Sequence, residues 1–385
     1  MKLSLYYDAV EIYREEKVVY AKFLKPHRVL SSGRTNGGIT ENLEYLYNHQ
    51  SCEARKHGGT DLVDMVVNHP DQYQERICSK ANMDPKTATG LGTAANMNNT
   101  ATAVEAYDGL EVIALTTAGV GTNGGRAGDP ASYQQTSDGV KMLNSPPPAA
   151  GTINTLLFIN QEVTPGALVV AATVATEAKA SVLQELSAPS RYSDGIATGT
   201  GTDQIGIATL LGTPVIHTDS NKHSKLGELI AQTVRKSLFE ALNLQSGLTP
   251  DSRRSCLAQL QRFGETEAQF ITSVAENLEE PAKQLFKDNF LAVNHDPVTV
   301  SAVQACVHLK DQMTAGVLPE SCIHEILLPQ AALIAKAVSG KQLEPEQLHQ
   351  KLSRPRLTKA NNDFLALIHT SFAIGFSQKW EGRFE

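Results

Sequence analysis

Short runs of β-branched and aromatic residues open the chain, at residues 3–7, 10–13, 17–24 and 28–32. Branched Cβ atoms and flat rings suit a pleated surface, so each run predicts a strand. Gly37 and Gly38 break the pattern, and an Asn- and Glu-rich segment follows. Residues 61–68 and 70–81 have helical spacing, and the 97–99 region carries into 101–107. The runs 111–117 (EVIALTT) and 152–159 are apolar enough for buried strands. Between 165 and 186, apolar positions recur at Leu168, Ala171, Ala175, Ala178, Val182 and Leu186, the period of a helix. Residues 206–211 again look like a strand and 223–242 like a helix. Three prolines at 146–148 mark a rigid loop rather than an interdomain linker, because strand patterning resumes at once.

Beyond Leu248 the texture is helical. The runs 253–263, 265–290, 299–314, 322–339, 344–352 and 361–376 are separated by Gly or Pro signals. The first 250 residues hold 23 of the 28 glycines, which places the boundary at this change. The pattern therefore predicts an α/β or α+β core with a mixed sheet and flanking helices over residues 1–248. An all-helical region follows over 249–385.

Composition narrows the function classes. A length of 385 residues accommodates two domains, and 41% hydrophobic with 19% charged residues fits a soluble globular protein. A formal charge of −7 offers no global attraction to nucleic acid or to acidic membranes. Five scattered cysteines without a CxxC pair read as reduced thiols in cytosol. Acidic residues in the opening segment argue against a signal peptide. The apolar run 166–175 is too short and too rich in alanine to cross a bilayer. A cytoplasmic protein without membrane insertion is expected, and a homo-oligomer stays open.

Four segments share one chemistry: ATGLGTAANMNN at 88–99, TAGVGTNGGRAGD at 117–129, GTINTLLFIN at 151–160 and ATGTGTD at 197–203. Glycine permits tight turns and close backbone approach, while hydroxyls, carboxamides and carboxylates give directional hydrogen bonds. Several such segments together imply a polar pocket for a large ligand. None is a phosphate loop of the GxxxxGK[ST] type or a GxGxxG opening a strand–helix unit. No GxSxG elbow is present either.

In order along residues 25–240, SSGRTNGG (31–38), GLGTAANM (90–97), TAGVGTNGGRAGD (117–129) and GTINTLLFINQEVTPGAL (151–168) are followed by TEAKASVLQEL (176–186), ATGTGTDQI (197–205) and KHSKLGELI (222–230). This series resembles the adenosylcobinamide amidohydrolases, corrinoid-salvage enzymes of archaea and some bacteria. The resemblance implies hydrolysis of the amide between the aminopropanol arm and the corrin ring, giving adenosylcobyric acid. Cobalt then belongs to the corrinoid substrate, and no cofactor or metal of the protein's own is expected. The helical region lies outside the resemblance.

Amide hydrolysis needs a base, donors for the oxyanion and a proton for the departing amine. Glu177, in the TEAK motif on the clearest helix, is the first acid–base candidate; an exposed helical carboxylate is the alternative. Lys179 can orient Asp129 or Asp203. Asp203 can orient water or bind the propanolamine hydroxyl. Asp129, with Arg126 before it, is a further catalytic candidate, and for both it and Asp203 a structural turn or ion pair serves about equally well. His223 suits general acid work or contact with the cobalt face, or simply starts a helix. Asn36, Asn96, Asn123, Arg126, Asn154, Thr198, Thr200 and Thr202 are candidate binding groups, although buried carboxamides also serve to satisfy loop backbone. Thr93, Thr122 and Thr200 keep a covalent route open, yet direct attack by water is preferred. His217, Asp219 and His223 lack a third metal ligand fixed by spacing. A non-catalytic corrinoid carrier and a different small-molecule amidase are the rival readings.

Overall fold

The structure, a computed structural model, describes residues 1–51, 65, 68–143, 149–353 and 356–380. The helical run expected at 61–68 and the proline loop at 146–148 fall mostly or wholly outside these residues. The chain divides into two units, Met1–Thr249 and Pro250–Glu385.

The first unit holds eleven principal strands among the described residues: β1 (Lys2–Tyr6), β2 (Val10–Glu15), β3 (Val18–Phe23), β4 (His27–Ser31), β5 (Gly38–Thr40), β6 (Tyr45–Gln50), β7 (Ala88–Thr93), β8 (Ala101–Tyr107), β9 (Leu110–Ala118), β10 (Ile153–Ile159) and β11 (Gln204–Leu210). They form two sheets, ordered β1-β2-β3-β6-β7 and β5-β4-β11-β10-β9-β8. Both are mixed, since β6–β7 and β10–β11 pair in parallel while the other neighbours are antiparallel. Each parallel pair has a helix in its connection: α1 (Pro70–Lys80) and α2 (Pro165–Glu185). A parallel partner cannot be reached by a tight turn, so the crossover is required. A third helix, α3 (Lys225–Ser246), lies beside α2. Between β8 and β9, Asp108 and Gly109 both have positive φ, the two-residue turn that suits a hairpin's twist.

Strand alternation explains the layers. In β10, Leu156 and Phe158 enter a core with Ile12, Leu46 and Leu91 of the first sheet. Leu157 and Ile159 face the other way, onto Leu168, Ala171 and Val174 of α2 and Ile230 and Val234 of α3. All seven residues of β10 are buried, as a strand covered on both faces must be. The outer face of the first sheet packs Val18, Tyr20 and Tyr47 against Tyr73 and Ile77 of α1. The order is helix, sheet, sheet, helices. Each large apolar side chain sealed between layers stabilises by about 1.5–3 kcal/mol.

Helix α2 runs 21 residues, as the period over 165–186 predicts, and by length and composition it is sufficient to cross a membrane, which corrects the expectation drawn from the run 166–175 alone. Here its apolar side covers the second sheet. Thr164 caps its start with Pro165 at the first helical position, and Ser224 caps α3 by accepting from the Gly227 amide at 3.0 Å.

The second unit is helical: α4 (Pro250–Arg253), α5 (Cys256–Leu260), α6 (Glu267–Ala275), α7 (Ala282–Asn294), α8 (Pro297–Thr314), α9 (Ile323–Ser339), α10 (Pro345–Leu352) and α11 (Asn361–Trp380). The helix expected over 265–290 is two: α6 stops at Ala275, and Pro281 lies immediately before the start of α7. Phe270 meets Phe372, and Phe286 meets Phe376, edge-to-face at 4.9 and 5.2 Å. None of the four described cysteines forms a disulfide.

Two glycines mark where backbone or ring comes too close for a side chain. A Cβ on Gly90 would lie 2.0 Å from the Tyr47 ring, and one on Gly375 would lie 2.4 Å from the Ala335 carbonyl oxygen. Gly90→Ala and Gly375→Ala should each lower unfolding free energy by about 1–3 kcal/mol through overpacking. Equilibrium urea unfolding of each variant checks this, and an unchanged midpoint would contradict the packing described.

Candidate functional site at the polar ends of the sheets

At one end of the facing sheets the buried strand residues turn from apolar to polar. Strand β6 ends in Asn48, His49 and Gln50, all buried, and β9 ends with buried Thr116 and Thr117. Asn154 near the start of β10 bridges the sheets: its Nδ2 donates to Asn48 Oδ1 at 2.9 Å and to the Gly92 carbonyl at 3.0 Å. Asn48 Nδ2 donates on to Thr117 Oγ1 at 2.9 Å, and the Gly92 amide donates to Gln204 Oε1 at 2.8 Å. Asn154 Oδ1 is buried without a hydrogen-bond partner among the described residues. Such an acceptor is costly in a dry interior and cheap only where a donor can reach it.

The four glycine- and hydroxyl-rich segments meet at this end. Gly124 and Gly125 pair with Thr200 and Gly199 in a short antiparallel ribbon. Asn123 Nδ2 donates to the Gly151 carbonyl at 2.7 Å, and its Oδ1 accepts from the Tyr192 hydroxyl at 2.5 Å. The hydroxyls of Thr152 and Thr202 lie 2.7 Å apart. Asp203 organises the corner: its carboxylate accepts from Lys179 Nζ (2.5 Å), the Ile153 amide (2.9 Å), and the Thr200 amide and hydroxyl (3.0 and 2.5 Å).

Beside these groups lies a cleft of about 560 Å³. Thr93, Thr152, Thr202 and Gln204 line it from the sheet ends and loops, Arg34 and Thr35 from the segment after β4, and Tyr73 and Gln74 from α1. Tyr73 hydroxyl is hydrogen-bonded to Nδ1 of His49, which stands behind it in β6. Burial pushes His49 down to about 3, helped by Lys80, Lys17 and Arg76, so the imidazole is neutral. A hairpin of residues Tyr133–Thr136 and Gly139–Met142 supplies the remaining wall through Tyr133, Gln135, Val140 and Met142.

The residues singled out from sequence take different places. Thr202 lines the cleft, and Asp203 sits beneath it, held by its four donors. Lys179 reaches Asp203, not Asp129. Thr200 and Asn123 fix the same corner, and Asn154 holds the sheets together. Thr198 Oγ1 accepts from the Ala127 amide, Asn96 caps a short turn through the Asn98 amide, and Asn36 donates to the carbonyls of Pro85 and Ala88. Arg126 donates to the Ile196 carbonyl, and its amide donates to Asp129. Burial works against ionised Asp129, but hydrogen bonds from Ser190, Ser193 and the Arg126 amide, with the Arg126 charge, hold its carboxyl below the usual range. Thr122 donates to the Ala150 carbonyl.

Glu177 and His223 lie elsewhere. The Glu177 side chain is 48% exposed and pairs with exposed Lys222 at 2.6 Å, and His223 is exposed at the start of α3. The structure does not bring either into the cleft, nor Asp129. On α2, Glu177 and Lys179 are two positions apart and so point to different sides, and only Lys179 turns inward. His217 Nε2 meets Gln161 at 2.8 Å, and no three metal-binding side chains converge among the described residues. His49, which backs Tyr73, and Tyr73 and Gln204, which line the cleft, are not among the residues expected from sequence. A run of polar residues ending an otherwise apolar strand was the signal for the first, and adjacency to Asp203 for the last.

The profile of a family described as adenosylcobinamide amidohydrolase matches residues 4–250. The chain belongs to this family. The match includes the two sheets, α1–α3 and the cleft, and leaves out the helical unit. An uncharacterised protein of Methanocaldococcus jannaschii is 35% identical over 234 residues, spanning 59% of this chain and 86% of its own length. The crystal structure of the PH0078 protein from Pyrococcus horikoshii superposes with a TM-score of 0.28 at 14% identity, covering 63% of this chain and 82% of that one.

Two predictions concern the groups behind the cleft. His49 is depressed in the folded state, so its contribution to stability is present above about pH 6.5 and is lost as pH falls towards 3. Over that window it adds up to one proton, about 1.4 kcal/mol per pH unit, to the acid slope. His49→Gln should flatten the dependence of the urea midpoint on pH between 3 and 6.5; an unchanged slope would place the titration elsewhere. For Asp203 and Lys179, with side chains 13% and 16% exposed, a double-mutant cycle of Asp203→Ala and Lys179→Met should give about 1–3 kcal/mol of coupling. Additive effects would show that the pair does not hold the corner.

Proposed function

We propose that this chain hydrolyses the amide joining the aminopropanol arm to the corrin ring of adenosylcobinamide, releasing adenosylcobyric acid and the amine. The observation that carries the reading is the convergence of glycine- and hydroxyl-rich segments on one cleft inside the region matched by the family: 88–99, 151–160 and 197–203 line it, and 117–129 backs them through Asn123 and Gly124. Neutral hydroxyls and carboxamides dominate its polar wall, which suits a ligand whose own groups are amides and a hydroxyl. Cobalt arrives with the substrate, so the reading needs no metal held by the protein.

Hydrolysis adds water to the carbonyl carbon, breaks the C–N bond and sends the amine away with a proton. Thr152, Thr202 and Gln204 hold the arm. Asp203 is a positioning residue: its oxygens are spent on the loop that presents Thr202. Tyr73, steadied by neutral His49, offers a hydroxyl for the developing oxyanion or the departing nitrogen. Under this reading Glu177, Asp129 and His223 act away from the scissile bond.

One observation favours a carrier that binds corrinoid without turnover: no carboxylate, histidine or lysine lines the cleft among the described residues. Anaerobic, light-protected incubation with adenosylcobinamide, followed by mass analysis, separates the two. Hydrolysis predicts free aminopropanol and the ring acid; tight binding with no product supports the carrier instead. Thr202→Val should lower kcat/KM by about tenfold, the loss of one useful hydrogen bond, and unchanged kinetics would remove Thr202 from the arm site.

A further inference from the structure

The hairpin at the cleft mouth has two unlike faces. Its register pairs Tyr133 with Met142, Gln134 with Lys141 and Gln135 with Val140. Side chains alternate across a strand, so Tyr133, Gln135, Val140 and Met142 share one face. Those same four line the cleft, and Gln134 and Lys141 do not. Three of the four are apolar, yet Tyr133 is 49% exposed and Val140 and Met142 are each 60% exposed. Large apolar groups grouped on one face and left in water are characteristic of a surface that another body covers. Among the described strands, the hairpin pairs only with itself, so the face is not a by-product of core packing.

Elsewhere in the lining, Thr93, Thr152, Thr202 and Gln204 offer hydroxyls and a carboxamide. A ligand filling the space meets both these polar groups and the apolar, thioether-bearing hairpin face. We propose that the hairpin face is the subsite for the broad face of the macrocycle, while the lining of Thr93, Thr152, Thr202 and Gln204 takes the amide-bearing arm. This rests on the corrinoid reading above and deepens it. A ring plane with alkyl-substituted edges is a good partner for Tyr133 and for the adaptable Met142 side chain. Val140 and Met142 act in binding, not at the scissile bond. The hairpin thus selects ring-bearing amides over small ones.

The test uses the full chain and adenosylcobinamide, with a Val140→Ser/Met142→Ser double variant, Tyr133→Ser alone, and Gln134→Ser on the opposite face as control. Equilibrium dialysis gives Kd, product formation gives kcat and KM, and light scattering gives the oligomeric state. The expected result is a Kd and KM raised about tenfold or more in the double variant, from lost apolar contact. Its kcat should stay within about twofold, with Tyr133→Ser shifted in the same direction and Gln134→Ser unchanged. Turnover in the original chain with Kd and KM unaltered in the hairpin variants overturns the subsite and leaves the hydrolase reading standing. Binding that depends on the hairpin, with no turnover, sinks the hydrolase reading and keeps the subsite. Neither binding nor turnover overturns both. If the variants alter only the oligomeric state, the face joins copies of the chain and the proposal is wrong. Should the double variant fail to fold, Tyr133→Ser carries the same comparison.

Discussion

The Asp203 carboxylate ties together three parts of the first unit that the chain delivers separately. It takes a proton donor from helix α2 through Lys179, one from the first amide of β10, and two from its own loop at Thr200. Charge-assisted bonds of this kind are stronger than neutral ones, and the pair is largely shielded from water. With the carboxylate so occupied, the loop that follows Gly199 has one arrangement. That loop pairs with Gly124 and Gly125 and places Thr202 against Thr152. The wall of the cleft is therefore a consequence of where one acidic side chain sits.

The two sheets could have met through apolar contacts alone along their full length. At the cleft end they meet instead through Asn154, Asn48 and Thr117. Fully packed carboxamides are directional, so they fix how the strand ends align as well as holding them together. The apolar core of Leu156, Phe158 and Leu91 begins one step further in. A short polar layer beside a long apolar one gives a rigid floor to the cleft without opening the core to water.

The sequence announced most of the strands that are apolar on at least one face, and the helices with a clear 3.6-residue stripe. β10 and α2 lie within a residue or two of the spans expected from hydrophobic pattern. β6 and β7 did not show themselves: β6 ends in Asn, His and Gln, and β7 alternates glycine with larger residues. Their polar and glycine content is what the cleft and the Tyr47 ring require, so the features that serve the site hide the strands. The meeting of the four polar segments was legible because their shared composition has no use on separate surfaces. The inward direction of Lys179 rather than Glu177 was not, because helix phase relative to a distant loop depends on the packing of α2 across the sheet. His49 and Tyr73 escaped for a related reason: their pairing joins a strand to a helix that neither local pattern connects.

Sheet order also bears on how the chain comes to be folded during synthesis. Strand β4 lies between β5 and β11, and its long antiparallel pairing, from Ser31 to His27, is with Gly206 to Leu210. Most of the first unit must leave the ribosome before that edge is covered. Contacts so distant in sequence delay closure, and an open strand edge is a place where one nascent chain can join another. The helical unit emerges only after β11 and closes late as well, because Phe270 and Phe286 of α6 and α7 find their partners in the last helix, α11. Crowding and temperature should thus weigh on yield while the interval between β4 and β11 is being made, before the second sheet can close.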